Sequence, residues 1–213
     1  MTLRALGAWS TLLLFSFPRG SGAEEPSSAA PPAPTWSLDA TLAFYVVPDQ
    51  TNFLQPVILA DRGPVHLEAR YNYESLRTAS FLVGWTFAFG SRVTLTVTPL
   101  FGCMAGEIGG PIVGLELFLG WGPLSFSSQG EWVFDLVGGS DPYAYVWSEI
   151  DVKPWEWFRF GVAMQRTKLF HTPREVIYGP LVGFSFWKLD LAAYWFRAGG
   201  TNTSFVVSAG LRF

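Results

Sequence analysis

The stretch 92–101 (RVTLTVTPLF) alternates between bulky apolar side chains and short polar ones. An extended strand turns successive side chains to opposite faces, so a period of two predicts a β-strand with two unlike faces. A tilted strand of about ten residues is long enough to cross a bilayer. The apolar face comprises Val93, Leu95, Val97 and Phe101, and the polar face comprises Arg92, Thr94, Thr96 and Thr98.

The same alternation continues on both sides of this stretch and predicts twelve strands. Only residues 53–60 are a weak candidate, because Pro56 interrupts their alternation. Without that segment the number of strands falls to ten, which is the alternative. The candidates are residues 36–47, 53–60, 65–73, 78–89, 92–101, 111–121, 123–134, 142–152, 156–166, 175–186, 188–197 and 204–213.

The composition favours a membrane over water as the surroundings of these strands. Charged residues make up 15% of the chain, whereas soluble domains carry about 25%. A secreted β-sandwich, the alternative, needs a water-facing side rich in charge, but the second face here is mostly Gly, Ala, Ser and Thr. We therefore expect an all-β, transmembrane, up-and-down antiparallel β-barrel. The net charge of −3 gives no indication of nucleic-acid binding.

The connections between the predicted strands alternate in length. Reading back from Phe213, tight turns at one end of the barrel alternate with longer loops at the other, and only the connection at residues 74–77 is unexpectedly short. Aromatic residues gather at both ends and predict two interfacial girdles. The girdle tryptophans are Trp121, Trp155, Trp157 and Trp187 beside the turns, and Trp132 and Trp195 towards the loops.

The N-terminal segment has the features of a signal for export. Arg4 precedes an apolar run at residues 5–17, and the small residues 21–23 follow it as a cleavage site. Residues 24–35 (EEPSSAAPPAPT) are too poor in apolar side chains to fold. We therefore expect a signal peptide at residues 1–23, a disordered tether at 24–35 and the barrel at 36–213.

The last predicted strand resembles the C-terminal signature of bacterial outer-membrane β-barrel proteins. Phe213 stands at its end, with Leu211, Ala209, Val207 and Phe205 at alternate positions before it. The resemblance identifies no subfamily. It implies Sec-type export to the outer membrane of a Gram-negative bacterium, contact with outer-membrane lipid, and recognition of the strand ending at Phe213 by the barrel assembly machinery. We expect a monomer.

Charged side chains are predicted to point inward, because a charge facing lipid at the midplane costs about 2–4 kcal/mol. The leading interpretation is a narrow porin-like channel for passive passage of small solutes or ions, with a constriction of Glu68, Arg70, Glu116, Glu131 and Arg159. The alternative is a closed structural barrel without conductance, since Phe118, Tyr145, Trp147, Trp157 and Tyr194 are predicted to narrow the lumen. The predicted lumen-lining residues are His66, Glu68, Arg70, Glu116, Glu131, Glu149 and Arg159.

Catalytic machinery is not expected. A less favoured interpretation is an outer-membrane hydrolase that uses His171 in a loop, or His66 with Ser80 of the next strand. Only two histidines occur in the chain, and their surroundings show no metal-ligand spacing and no phosphate-binding loop. The sequence therefore predicts no enzyme, no cofactor and no metal site.

Overall fold

The computed structural model describes residues 35–47, 51–139, 141–169, 175–197 and 203–213, without the side chains of 167–169 and 175. The predicted signal peptide, nearly all of the tether and His171 lie outside the described residues. The described residues contain no helix whose length and hydrophobicity would let it cross a bilayer. The strands are β1 Ser37–Val46, β2 Phe53–Arg62, β3 Val65–Tyr71, β4 Thr78–Trp85, β5 Phe87–Phe89, β6 Val93–Gly106, β7 Gly110–Trp121, β8 Leu124–Val133, β9 Tyr143–Trp155, β10 Phe158–Leu169, β11 Glu175–Phe186, β12 Leu189–Phe196 and β13 Ser204–Arg212.

These strands form one antiparallel sheet that closes on itself. Consecutive strands pair with each other, except that β4 and β5 both pair with β6, and β1 pairs with β13. Strand β5 continues the register of β4 along β6, with Gly84 opposite Leu100 and Phe87 opposite Val97. The break between them faces Pro99 of β6, which has no N–H to donate. The barrel thus has twelve strands, one of them interrupted.

The outward face of the barrel is predominantly apolar, with Ser128 and Ser148 as a hydrogen-bonded polar pair on β8 and β9. Leu42, Phe81 and Val207 are 45%, 49% and 55% exposed, whereas the polar side chains between them point inward and are buried. A soluble protein rarely exposes a continuous apolar surface of this extent. The outward rows require a lipid surrounding, and the fold is a transmembrane β-barrel.

The weak strand candidate proves to be a full strand, so twelve strands are confirmed and the ten-stranded alternative is wrong. Pro56 lies just outside the β2–β3 ladder, which ends at the Val57–Arg70 pair. The missing N–H therefore interrupts no pairing on that side. Strand β6 extends to Gly106, five residues beyond its predicted end, and the β6–β7 connection is correspondingly short.

The two ends of the barrel differ. The turn end carries the five connections between β2 and β3, β5 and β6, β7 and β8, β9 and β10, and β11 and β12, which are two or three residues long. The loop end carries the other connections. Phe213 lies at the turn end, where its N–H donates to the carbonyl of Leu38 at 2.8 Å.

A charge introduced on the outward face should cost most at mid-height. Leu42 and Leu38 both face outward from β1, with Leu42 near its middle and Leu38 at the turn end. We expect Leu42→Arg to lower the free energy of unfolding by about 2–4 kcal/mol and Leu38→Arg by no more than about 1 kcal/mol. Reversible urea unfolding in phospholipid vesicles measures both. Equal losses would contradict the placement of β1 across the membrane.

Candidate functional site: the interior of the barrel

The inward side chains are more accessible at the turn end of the barrel than at the loop end. At the turn end several inward polar side chains keep partial exposure and form a polar vestibule. At the loop end the inward side chains are buried and largely apolar or aromatic. The interior thus has one polar, accessible end and one tightly packed end. The vestibule comprises Asp61, Thr94, Thr96, Lys153, Arg159, Asp190 and Arg212, and the packed end includes Tyr45, Phe53, Met104, Ile112, Val133, Tyr143 and Phe196.

The connection between β3 and β4 folds into the lumen instead of standing out from it. This crossing segment, residues 72–77, begins at Asn72, whose backbone has a positive φ of 58°. Tyr73 and Glu74 follow and are only 1% and 4% exposed. The Tyr73 hydroxyl donates to Gln129 Oε1 of β8 at 2.6 Å. The crossing segment therefore reaches a strand that is not its neighbour in the sheet.

Strand β9 meets the crossing segment from the far side of the lumen. The Tyr143 hydroxyl donates to the carbonyl of Glu74 at 2.6 Å, and the ring of Tyr145 meets that of Tyr73 edge-on, with centroids 6.3 Å apart. Along the shorter way round the sheet, β9 lies four strands from β4. These contacts span the lumen and divide it near the loop end.

On the turn-end side of the crossing segment lies a cluster of charged residues, all of them buried except Asp61. This Arg70 network comprises Asp61, His66, Glu68, Arg70, Glu74, Glu116 and Glu131. The guanidinium of Arg70 pairs with Glu68 and with Glu131 of β8 and lies 3.5 Å from Glu74. The same guanidinium stacks on the Tyr73 ring, 4.1 Å from the centroid. Arg70 thus ties the crossing segment to β8, with its side chain shielded from water.

His66 occupies the turn-end side of the Arg70 network. Its Nδ1 atom lies 2.6 Å from Asp61 Oδ1, and its Nε2 atom lies 2.8 Å from Glu68 Oε1 and 3.8 Å from Glu116 Oε2. Asp61 is 38% exposed in the vestibule, while the imidazole is 7% exposed. The ring therefore stands between the accessible end and the buried charges.

A second ionic group occupies another part of the wall. Glu149 of β9 accepts from Arg159 Nη1 at 3.0 Å, from Trp147 Nε1 at 2.8 Å and from the Tyr194 hydroxyl at 3.0 Å. Asp151 lies 3.7 Å from the same guanidinium. This group has two carboxylates around one guanidinium, whereas the Arg70 network has five carboxylates around one guanidinium and one imidazole.

The structure places all seven predicted lumen residues inside the barrel but separates them into two groups. Arg159 and Glu149 belong to the second ionic group, so the five predicted constriction residues do not form one ring. Four of those five meet in the Arg70 network. Their role as the lining of a conduit stays a prediction. The members that meet are Glu68, Arg70, Glu116 and Glu131.

Of the aromatic residues predicted to narrow the lumen, Trp157 is placed differently. It is 48% exposed and stacks on Trp155 at 5.6 Å, outside the barrel at the turn end. Trp157 lies in the β9–β10 turn, where the alternation of a strand no longer sets the direction of a side chain, and its ring lies with the outward-facing aromatic side chains. Phe118, Tyr145, Trp147 and Tyr194 point inward and are buried.

The six predicted girdle tryptophans are exposed at strand ends. Their fractional exposure runs from 45% for Trp195 to 96% for Trp187. Their contact with the lipid interface, and the role of Phe213 in assembly, stay predictions. At the turn end lie Trp121, Trp155, Trp157 and Trp187, and at the loop end Trp132 and Trp195.

Sequence reasoning missed the crossing segment and the role of Asp61. The one available signal was the short connection at residues 74–77, the exception to the length rule. The predicted second strand ends at residue 60, whereas β2 extends to Arg62, and the carboxylate of Asp61 therefore faces His66 inside the barrel. The serine considered for a hydrolase, Ser80, donates to Glu74 Oε1 at 2.8 Å, and the ring nitrogens of His66 face carboxylates.

Comparison with solved structures identifies the architecture. A KdgM porin superimposes with a TM-score of 0.59 at 9% identity, covering 82% of this chain and 99% of the porin. A NanC porin superimposes with a TM-score of 0.54 at 10% identity, covering 82% and 98%. The fold is that of the outer-membrane porins. At this identity the likeness establishes the fold alone.

The remaining comparisons give no closer relationship. No protein-family model matches the sequence. No curated protein matches it either. A second structure of the same porin type, "KdgM porin in complex with disordered oligogalacturonate", superimposes with a TM-score of 0.58 at 10% identity, covering 83% of this chain and 99% of that one.

Removal of the central cation of the Arg70 network should destabilise the barrel strongly. Arg70→Met leaves Glu68 and Glu131 buried without their partner, so we expect a loss of about 3–5 kcal/mol in the free energy of unfolding. Arg77 pairs with Glu107 at 3.0 Å on the surface, and Arg77→Met is the matched control with a loss below about 1 kcal/mol. Urea unfolding in detergent or vesicles measures the difference. A loss for Arg70→Met no larger than the control's would show that the network contributes nothing to stability.

Proposed function

We propose that this protein is a narrow porin-like channel of the outer membrane whose lumen is closed at rest by the crossing segment. The observation that carries the proposal is the bridge across the lumen, in which Tyr73 bonds to β8 and Glu74 to β9. Small solutes or ions pass only when this bridge opens. The polar vestibule at the turn end supplies the hydrated half of the path.

The burial of the bridge supports closure. Tyr73, Tyr145 and Trp147 are 1%, 2% and 1% exposed, although they lie at the centre of a tube and not within a protein core. A water-filled conduit would leave its lining side chains accessible to water. Passage at the loop end therefore requires displacement of these rings.

The location and the partners belong to the same proposal. The apolar outer surface requires a bilayer, and transmembrane β-barrels of this kind belong to outer membranes. Sec-type export through residues 1–23, contact with outer-membrane lipid, assembly through the strand ending at Phe213, and a monomeric state complete it. The porin fold of the neighbours supports transport over catalysis.

Conductance in planar lipid bilayers tests the closure. We expect the refolded wild type to be silent for most of the recording, and the double variant Tyr73→Ser/Tyr145→Ser to show sustained conductance steps. Both rings of the bridge are lost in that variant. The matched control is Tyr71→Ser/Tyr178→Ser, which removes two outward tyrosines, 41% and 65% exposed.

Two outcomes would contradict closure by the crossing segment. The first is a wild-type protein with a steady open conductance, which would show that the channel is permanently open. The second is a bridge variant that folds, as judged by its heat-dependent migration in gels, yet is as silent as the wild type.

The second candidate function is a closed structural barrel, which the same burial favours. In that case the Arg70 network and the second ionic group only stabilise the barrel wall, and the lumen stays closed under all conditions. Trp147, whose ring meets those of Tyr194 and Phe196 at 5.4 and 5.2 Å, would belong to the filling of the barrel. A silent double variant selects this candidate.

A further inference from the structure

We propose that His66, Glu68 and Glu116 form a binding site for a divalent transition-metal ion, with Zn²⁺ as the best match. The site lies inside the barrel and is independent of the proposed channel function. One donor atom from each of the three residues lies within 4.8 Å of the other two. All three residues are buried.

The distances between the donor atoms suit a small cation. His66 Nε2 lies 2.8 Å from Glu68 Oε1 and 3.8 Å from Glu116 Oε2. Bonds of about 2.0–2.2 Å to a tetrahedral Zn²⁺ place neighbouring ligand atoms roughly 3.3–3.6 Å apart. The observed separations lie on either side of this value, so small side-chain rotations bring the donors to the ion. Three protein ligands leave one position open for water.

Glu116 provides an independent indication of a missing ligand. Glu116 is 4% exposed, and its Oε1 atom has no hydrogen-bond partner within the described part of the chain. A buried carboxylate oxygen without a partner costs free energy that a proton or a metal ion would recover. Because Oε2 of the same group faces His66, the carboxylate already points into the proposed site.

The charge around the site favours a divalent cation. Five carboxylates of the Arg70 network, four of them buried, surround one guanidinium and one imidazole, so acidic groups outnumber basic ones. Buried charges are normally paired or coordinate metals. The five are Asp61, Glu68, Glu74, Glu116 and Glu131.

The residues behind the donors have the arrangement that supports metal ligands. Asp61 Oδ1 lies 2.6 Å from His66 Nδ1, so the second ring nitrogen can donate to a carboxylate while Nε2 faces the ion. Arg70 binds the other oxygen of Glu68 and fixes that carboxylate. Asp61 also marks the route of entry, because it is exposed in the vestibule while His66 lies directly behind it.

Metal titration of the folded, tag-free barrel in detergent tests the site after removal of bound ions with a chelator. Co²⁺ reports coordination through its visible absorption, and Zn²⁺ should displace it. We expect one Co²⁺ per barrel in the wild type. Glu116→Gln keeps the size of the side chain and removes an anionic donor, and Asp61→Asn weakens the support of His66; each should weaken binding at least about tenfold.

The matched control is Glu149→Gln, which changes a buried carboxylate of the second ionic group and should bind as the wild type does. Heat-dependent gel migration verifies that each variant is folded, and Asp61→Asn tests the site if Glu116→Gln does not fold. A wild type that binds neither Co²⁺ nor Zn²⁺ overturns the proposal and assigns a proton to the cluster. Equal binding by Glu116→Gln, Asp61→Asn and Glu149→Gln also overturns it, since the ion would then sit elsewhere.

Discussion

The structure depends on the pairing of every backbone N–H and C=O group within a bilayer that offers no water. A sheet with a free edge would leave a row of such groups unpaired at several kcal/mol each, so a spanning sheet has to close. The decisive pairing is between β1 and β13, the first and last strands, because every other pairing joins strands that follow each other along the chain. Once the sheet is closed, each side chain has only two environments, lipid or lumen, and the alternation of the sequence assigns them.

Closure with twelve strands has a consequence for the lumen. The wall is close enough to its opposite side for long side chains to meet across it, as Arg70 does with Glu131 and Tyr73 with Gln129. Inside a narrow tube, buried charges need other side chains as partners, because little water reaches them. The interior of this barrel therefore has hydrogen-bonded networks in the positions where a wide porin has water.

The strands were predictable because their signal is local. Alternation at 92–101 or 204–213 needs no knowledge of the rest of the chain, and the exposed rows in the structure follow it. For the interior, the sequence predicts which side chains of each strand point inward but not which of them contact one another. His66 and Glu116 lie on β3 and β7, three strands apart in the sheet, and nothing in their local sequence reports the reach of one side chain to the other.

The crossing segment shows a different kind of difficulty. Its brevity was visible in the sequence, but the length rule gives no direction for a loop that departs from it. The inward direction of the crossing segment has two causes. The side-chain amide of Asn72 donates to the Leu54 carbonyl, and its side-chain oxygen accepts from the N–H of Arg77. Side chains of β8 and β9 then form hydrogen bonds with the segment inside the lumen. Such partners are known only after the barrel has closed.

One carboxylate, that of Glu68, links the accessible turn end of the interior to the crossing segment. Glu68 faces His66 with one oxygen and Arg70 with the other, and Arg70 in turn stacks on Tyr73 of the crossing segment. From the turn end, Asp61 and His66 precede the rings of Tyr73 and Tyr145 along the lumen. The acid-rich part of the lumen therefore lies on the accessible, turn-end side of the bridge.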